Sequence, residues 1–191
     1  MLQKNFGGSE EKAIPRTFTL ARGATAIASA ALRTEIVALL PRLRRFARSL
    51  TGHAADADDL VQAGVERALR NLDRYAPGTR LDSWLFKVLK NVWIDETRGR
   101  ARRGRVLAPE AEGEHVGDDG LASAEVRRQL IEVEAAMRAL PEEQRLAIAL
   151  ICVEGLSYAE ASDVLDVPVG TLSSRVTRGR ETLLAKLGGP V

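Results

Sequence analysis

An all-α chain of two small helical domains is the fold class this sequence predicts, and three observations carry it. Apolar residues from Leu32 onward recur at three- and four-residue spacing instead of alternating. No β-branched run marks a strand. Residues 99–122 lose all periodicity and fill with arginines, glycines and acids, which divides the chain. A length of 191 residues suits two units that each bury an apolar face.

Residues 1–32 are expected to form a loosely ordered N-terminal extension. The small apolar stretch Ala24 to Leu32 contains Ala28-Ser29-Ala30, which imitates a signal-peptidase site. Arg22 and Gly23 interrupt it, however, and Glu10 and Glu11 stand where a basic region belongs. No run approaches the roughly 18 apolar residues of a membrane span, so no membrane insertion is expected and the chain is placed in the cytoplasm.

A first helix carries Ile36, Leu40, Leu43, Ala47 and Leu50 on one stripe, with Arg42, Arg44, Arg45 and Arg48 largely off it, and ends near Gly52. The second starts in the acidic cluster Asp56, Asp58 and Asp59, where carboxylates suit a helix N-terminus, and buries Val61, Val65, Ala68, Leu69 and Leu72. Pro77-Gly78 breaks it. The third runs from about Leu81 to Arg98 with Leu81, Leu85, Val88, Leu89 and Val92 inward, completing a three-helix bundle.

Beyond the linker, Val126, Leu130, Val133, Met137 and Leu140 define a fourth helix. Pro141 opens a fifth, which carries Leu146, Leu150 and Val153 to a stop at Gly155. Ser157-Tyr158-Ala159-Glu160 reads as a capping box that starts a sixth helix, ended near Leu165. A turn at Asp166 to Pro168 leads to a last helix from about Val169 to Leu187. The expected domains are therefore residues 33–99 and 123–188, joined by a flexible linker over 100–122.

Lys plus Arg total 28 against 26 acids, a net charge of +2, so bulk charge does not announce a nucleic-acid binder. The cations are 23 Arg and 5 Lys, a bias toward forked contacts with phosphates and base edges that a GC-rich genome also produces. One cysteine, Cys152, excludes an intramolecular disulfide or a multi-thiolate metal site, and its apolar neighbours make it a small core residue. With His53 and His115 far apart and no catalytic grouping, no enzyme, cofactor or metal is expected.

Two short helices joined by a tight turn make a helix-turn-helix candidate. Leu172, Val176, Gly179 and Leu183 form the buried stripe of its second helix. That leaves Thr171, Ser174, Arg175 and Arg178 outside, near the end that enters a major groove. Tyr75, Trp84, Phe86 and Trp93, half of the eight aromatics, interleave with Lys87, Lys90 and Asn91. That composition suits stacking on exposed bases, although Trp84 follows the inward stripe and reads as core.

The segments Asp59-Leu60-Val61-Gln62, Trp84 to Asn91 with Asp95 and Arg98, Leu140-Pro141-Glu142-Glu143-Gln144-Arg145, Gly155 to Glu160 and Val167 to Val176 together resemble the extracytoplasmic-function sigma factors of bacteria. The resemblance covers about residues 33–187, in matching order and spacing. It implies a transcription initiation factor that binds core RNA polymerase through its beta and beta-prime subunits and reads promoter DNA both as duplex and as melted strand. It also implies control by an anti-sigma factor, nucleoid association when active, and tethering at the membrane where that inhibitor is membrane-bound.

By the same resemblance, Asp59, Leu60 and Gln62 dock on polymerase. Asn71, Tyr75, Thr79, Arg80, Lys87 and Asn91 serve the downstream element, where a flipped base is trapped beside the Pro-Gly turn. Thr171, Ser174, Arg175 and Arg178 serve the upstream element. Ser173 and Ala63 depart from the family pattern, at positions where a basic and an acidic residue are common. The acids Glu110, Glu112, Glu114, Asp118 and Asp119 give the linker the charge of a nucleic-acid mimic. Two other readings stay open: a free-standing dimeric helix-turn-helix regulator, and a sigma-like decoy that titrates an anti-sigma factor.

Overall fold

The computed structural model describes residues 16–76, 78–102 and 124–188. Helix α1 spans Arg16–Thr51, α2 Ala54–Arg70, α3 Leu81–Arg102, α4 Ala124–Arg138, α5 Glu142–Ile148, α6 Tyr158–Leu165 and α7 Val169–Leu187. A 3-10 turn, Leu72–Arg74, follows α2, and a π turn, Ala149–Val153, follows α5. Among the described residues there is no strand. Helix α1 starts upstream of the expected Leu32, and α3 continues through the first three residues assigned to the linker. The remainder of the linker with its acids, residues 1–15, Pro77 and His115 lie outside the described residues.

The N-terminal bundle forms because each of its helices concentrates apolar residues on one face. Leu43, Phe46, Ala47 and Leu50 of α1, Leu60, Val61 and Ala68 of α2, and Leu85, Phe86, Leu89 and Trp93 of α3 are all buried. Phe46 and Phe86 meet edge to face at 5.0 Å between ring centroids. At Gly64 a methyl group would overlap Leu89, so the α2–α3 crossing depends on the missing side chain. The stripe expected for α2 is rotated: Leu60 takes a core place while Leu69 is exposed.

In the C-terminal domain the Ser157 hydroxyl accepts from the Glu160 N–H at 3.3 Å, and the Ser157 N–H donates to the Glu160 carboxylate at 2.8 Å. The capping box is therefore complete. Asp166 ends α6 in the left-handed region, at φ 56° and ψ 44°, which turns the chain tightly into α7. Leu172, Val176 and Gly179 of α7 face inward, and a Cβ at residue 179 would sit 2.8 Å from Ile148.

Two expectations are corrected by the packing. Cys152 is exposed. The cause is the π turn, in which the Glu154 N–H reaches back five residues to the Ala149 carbonyl at 3.0 Å. The extra residue shifts the register, so burial passes from Leu150 to Glu154, and Val153 also turns outward. Of the stripe expected for the fourth helix, Val126, Leu130 and Val133 are exposed, and only Met137, with Leu140 just past the end of α4, is buried. Helix α4 is anchored through its C-terminal half, where Arg48 donates to Glu134 at 2.8 Å.

The two domains pack against each other and share one apolar core. The Glu154 carboxylate, fully buried, accepts from Arg42 at 3.2 Å and from both Nε and Nη2 of Arg45 at 3.0 Å. Arg145 donates to the Leu50 carbonyl at 2.8 Å and lies over the Trp93 ring at 5.7 Å. From its place on α5 it also donates to the Leu140 carbonyl at 3.0 Å, and thus joins the end of α1 to the turn before α5. Burial, with help from neighbouring Arg138, lowers the affinity of this guanidinium for its proton.

Asp82, at the start of α3, accepts from Arg42 at 2.7 Å, from Arg80 at 2.6 Å and from the Ser83 N–H at 2.8 Å. Burial pushes its carboxyl up, but these donors outweigh burial and hold it at about 2, against an ordinary 3.8. A depressed carboxylate stabilises the fold above its unfolded value, and that contribution fades as pH falls toward the folded one. About 2 kcal/mol is expected to vanish between roughly pH 4 and 2. Urea titrations across this range, followed by tryptophan fluorescence, check it; a pH-independent midpoint contradicts it.

Candidate nucleic-acid and polymerase interface

Helix α2 presents the docking residues inferred from sequence on two different faces. Asp59 and Gln62 are exposed on the outer one, where Gln62 donates to Glu66 at 3.1 Å. Leu60 is 1% exposed and turns inward, so it positions the helix instead of offering a contact surface. Three residues separate Asp59 from Gln62, and that spacing places them on one exposed strip.

The residues assigned to the downstream element, Tyr75 apart, divide between two concavities on either side of Trp84 and Lys87. The first, a groove of about 480 Å³, brings Asn71, Lys87 and Asn91 together. Arg67, Arg74 and Trp84 also line it, and the motifs of the sequence assign none of the three to this element. Helix α2 ends at Asn71 because its side chain donates back to the Arg67 carbonyl at 2.7 Å, which fixes the amide at the groove edge. Trp84, expected in the core, is only half-buried. Its position at the first turn of α3 puts it where the α2–α3 connection leaves an opening.

Tyr75, Thr79 and Arg80 belong to the connection itself. The Tyr75 hydroxyl donates to the Thr79 carbonyl at 2.5 Å, and its ring lies 5.5 Å from Trp84. Gly78 supplies the positive φ of 87° that closes this short loop. Thr79 and Arg80 line the second concavity, of about 330 Å³, together with Trp84, Lys87 and residues of α6. An aromatic platform edged by amides and cations is suited to an extruded base and its phosphates.

On α7, Thr171 and Arg178 are exposed. Ser174 donates to the Thr171 carbonyl at 2.8 Å, and Arg175 pairs with Glu143 of α5 at 2.8 Å. Two of the four assigned residues are therefore open to DNA, while the other two are engaged within the domain. Among the described residues no group of His, Cys, Asp and Glu forms a metal site, and no helix is long and apolar enough to cross a membrane.

Sequence reasoning misses the cations of α1. The apolar stripe leaves Arg42, Arg45 and Arg48 on a solvated face, yet all three bond to the C-terminal domain. Their i, i+3 spacing, which aligns them on one strip, is the available signal.

A helical bundle with an aromatic and basic groove, packed beside a helix-turn-helix module, defines a promoter-reading transcription factor. Family models match as Sigma-70 region 2 over residues 36–103 and Sigma-70 region 4 over residues 130–183. The chain is 39% identical over 157 residues to the ECF RNA polymerase sigma factor EcfG of Rhodopseudomonas palustris, covering 82% of this chain and 84% of that one. It is 37% identical over 129 residues to the ECF sigma factor SigC of Mycobacterium tuberculosis, covering 68% and 69%. Among solved structures, the sigma factor RpoE from Bartonella quintana, in complex with the anti-sigma factor NepR, superposes with a TM-score of 0.71 at 32% identity. That match covers 82% of this chain and 96% of that one. CnrH in complex with the cytosolic domain of CnrY matches with a TM-score of 0.64 at 26% identity, covering 85% and 94%. The chain belongs to the extracytoplasmic-function RNA polymerase sigma factors, which are transcription initiation factors and not enzymes.

Proposed function

We propose that residues 33–99 bind core polymerase and open the downstream element, while residues 123–188, tethered by 100–122, read the upstream element as duplex. The observation that carries this reading is the groove of Asn71, Lys87 and Asn91 around Trp84. It lies within the segment that matches region 2. A flipped base stacks on the Trp84 or Tyr75 ring, Asn91 hydrogen-bonds its edge, and Arg67, Arg74 and Lys87 hold the adjoining phosphates. Asp59 and Gln62 form the polymerase contact. Thr171 and Arg178 make the first contacts in the upstream major groove, and Ser174 and Arg175 join them once released from their partners.

The similar sigma factor RpoE is bound to the anti-sigma factor NepR, and CnrH to the cytosolic domain of CnrY. Control by such an inhibitor is accordingly part of this reading, with the factor cytoplasmic, at the nucleoid when active, and held at the membrane where its inhibitor resides there. Carrying both readers on one chain makes the second contact intramolecular, which lets one polymerase-bound factor serve two separated elements.

Gln62→Ala is expected to weaken polymerase binding several-fold in fluorescence anisotropy. Arg178→Ala is expected to lower upstream-element affinity by about 1 to 3 kcal/mol with polymerase binding unchanged. The reverse pattern would mean the two surfaces are exchanged.

A further inference from the structure

We infer that Asp95 is a positioning residue for the downstream strand: it anchors the Arg67 guanidinium at the edge of the α2–α3 groove so that the rest of the fork can hold a strand phosphate. The inference rests on the downstream-site reading above and adds to it the residue through which Arg67 acts.

Asp95 stands one helical turn beyond Asn91 on the same face of α3. Arg67 Nη1 donates to its Oδ2 at 2.9 Å across the gap between α2 and α3. The Arg67 carbonyl in turn accepts from the Asn71 side-chain amide at 2.7 Å. Two groove residues of α2 are thereby tied to α3 a turn away from Asn91. Among the described residues the Arg67 guanidinium has no second hydrogen-bond or ion-pair partner. Its Nε and Nη2 donors stay available to a phosphate, which the planar fork suits.

Other acids nearby are engaged elsewhere. Arg67 also edges a second concavity, of about 350 Å³, beside Glu66 and Glu96. Glu66 accepts from Gln62 at 3.1 Å and Glu96 from Arg100 at 3.3 Å. Without Asp95 the Arg67 guanidinium turns into water or toward these acids, and recovering the strand-binding rotamer costs side-chain entropy. The Arg67 and Asp95 side chains are 44% and 62% exposed, so their pair adds little to stability and its loss leaves the fold intact.

Net charge predicts the opposite outcome. A carboxylate beside a phosphate site repels the strand, so removing its charge would tighten binding, whereas lost positioning loosens it. The sign of the effect separates the two.

The test uses the holoenzyme formed with core polymerase, on a promoter fragment that the parent holoenzyme selects from a genomic library. Opening is read by permanganate reactivity of unpaired thymines, and polymerase binding by fluorescence anisotropy. Asp95→Asn is expected to lower the opening equilibrium about two- to fivefold, with polymerase affinity unchanged. The log–log salt dependence of opening is expected to become shallower by roughly 0.7, the loss of one single-strand phosphate contact. Asp95→Glu is expected to retain most of the parent opening. Asp73→Asn makes the same charge change at an exposed acid next to Arg74, and is expected to leave opening unchanged or raise it.

Increased opening in Asp95→Asn would overturn the proposal, as would a loss that only follows weaker polymerase binding. An equal loss when Asp95→Asn is added to Arg67→Ala would overturn it too, because Asp95 would then act without Arg67. If Arg67→Ala alone leaves opening and salt dependence unchanged, the phosphate site is misplaced and the downstream reading falls. A loss in Arg67→Ala with none in Asp95→Asn overturns only the role of Asp95.

Discussion

Replacing Phe86 with alanine is expected to destabilise the protein by about 3 to 5 kcal/mol. Phe86 is fully buried, holds Phe46 edge to face, and carries the Arg42 guanidinium 5.4 Å above its ring. Truncation removes the transfer energy of a whole aromatic ring and leaves a cavity that three helices cannot close. It also strips Arg42 of its apolar support at the point where that arginine binds Asp82 and Glu154. Urea unfolding followed by circular dichroism measures the loss. A change below about 1 kcal/mol would show that the bundle repacks around the gap.

Glu154→Ala is the second large effect, expected at about 2 to 4 kcal/mol. The Glu154 side chain is inaccessible to solvent, while Arg42 and Arg45 are 30% and 52% exposed. Removing the acid therefore strands two cations that water partly rescues, which keeps the cost below that of a fully buried pair. The damage falls between the domains, because both arginines lie on α1 and Glu154 follows α5. Calorimetry is expected to resolve one cooperative transition in the parent chain into two in the variant, and a single unshifted transition would contradict the expectation.

Most helix positions are legible in the sequence because their physics is local. The capping box at Ser157 and Glu160, the turn at Asp166 and the limits of α7 follow from short-range hydrogen bonding and from a stripe that repeats every three or four residues. The inward faces of α1 and α3 are legible for the same reason. The site is legible in part: the family resemblance points to Asn71, Lys87 and Asn91, while Arg67 and Arg74 become visible only when α2 and α3 lie side by side. Leu60 and Trp84 exchange expected roles, since a helical period leaves a rotation of one residue undecided until neighbours are in place.

By itself the amino-acid sequence determined an all-α chain, its capping and turn chemistry, the order of its motifs and, through them, its family. These depend on interactions within a few residues. Only the tertiary structure decided that Glu154 would be buried and Cys152 exposed, that Arg42, Arg45 and Arg48 would bind across domains, and that Asp166 would bridge Lys87 and Lys90. The partners in those pairs stand 76 to 112 positions apart along the chain, and no local period encodes which distant charge will neutralise a given cation.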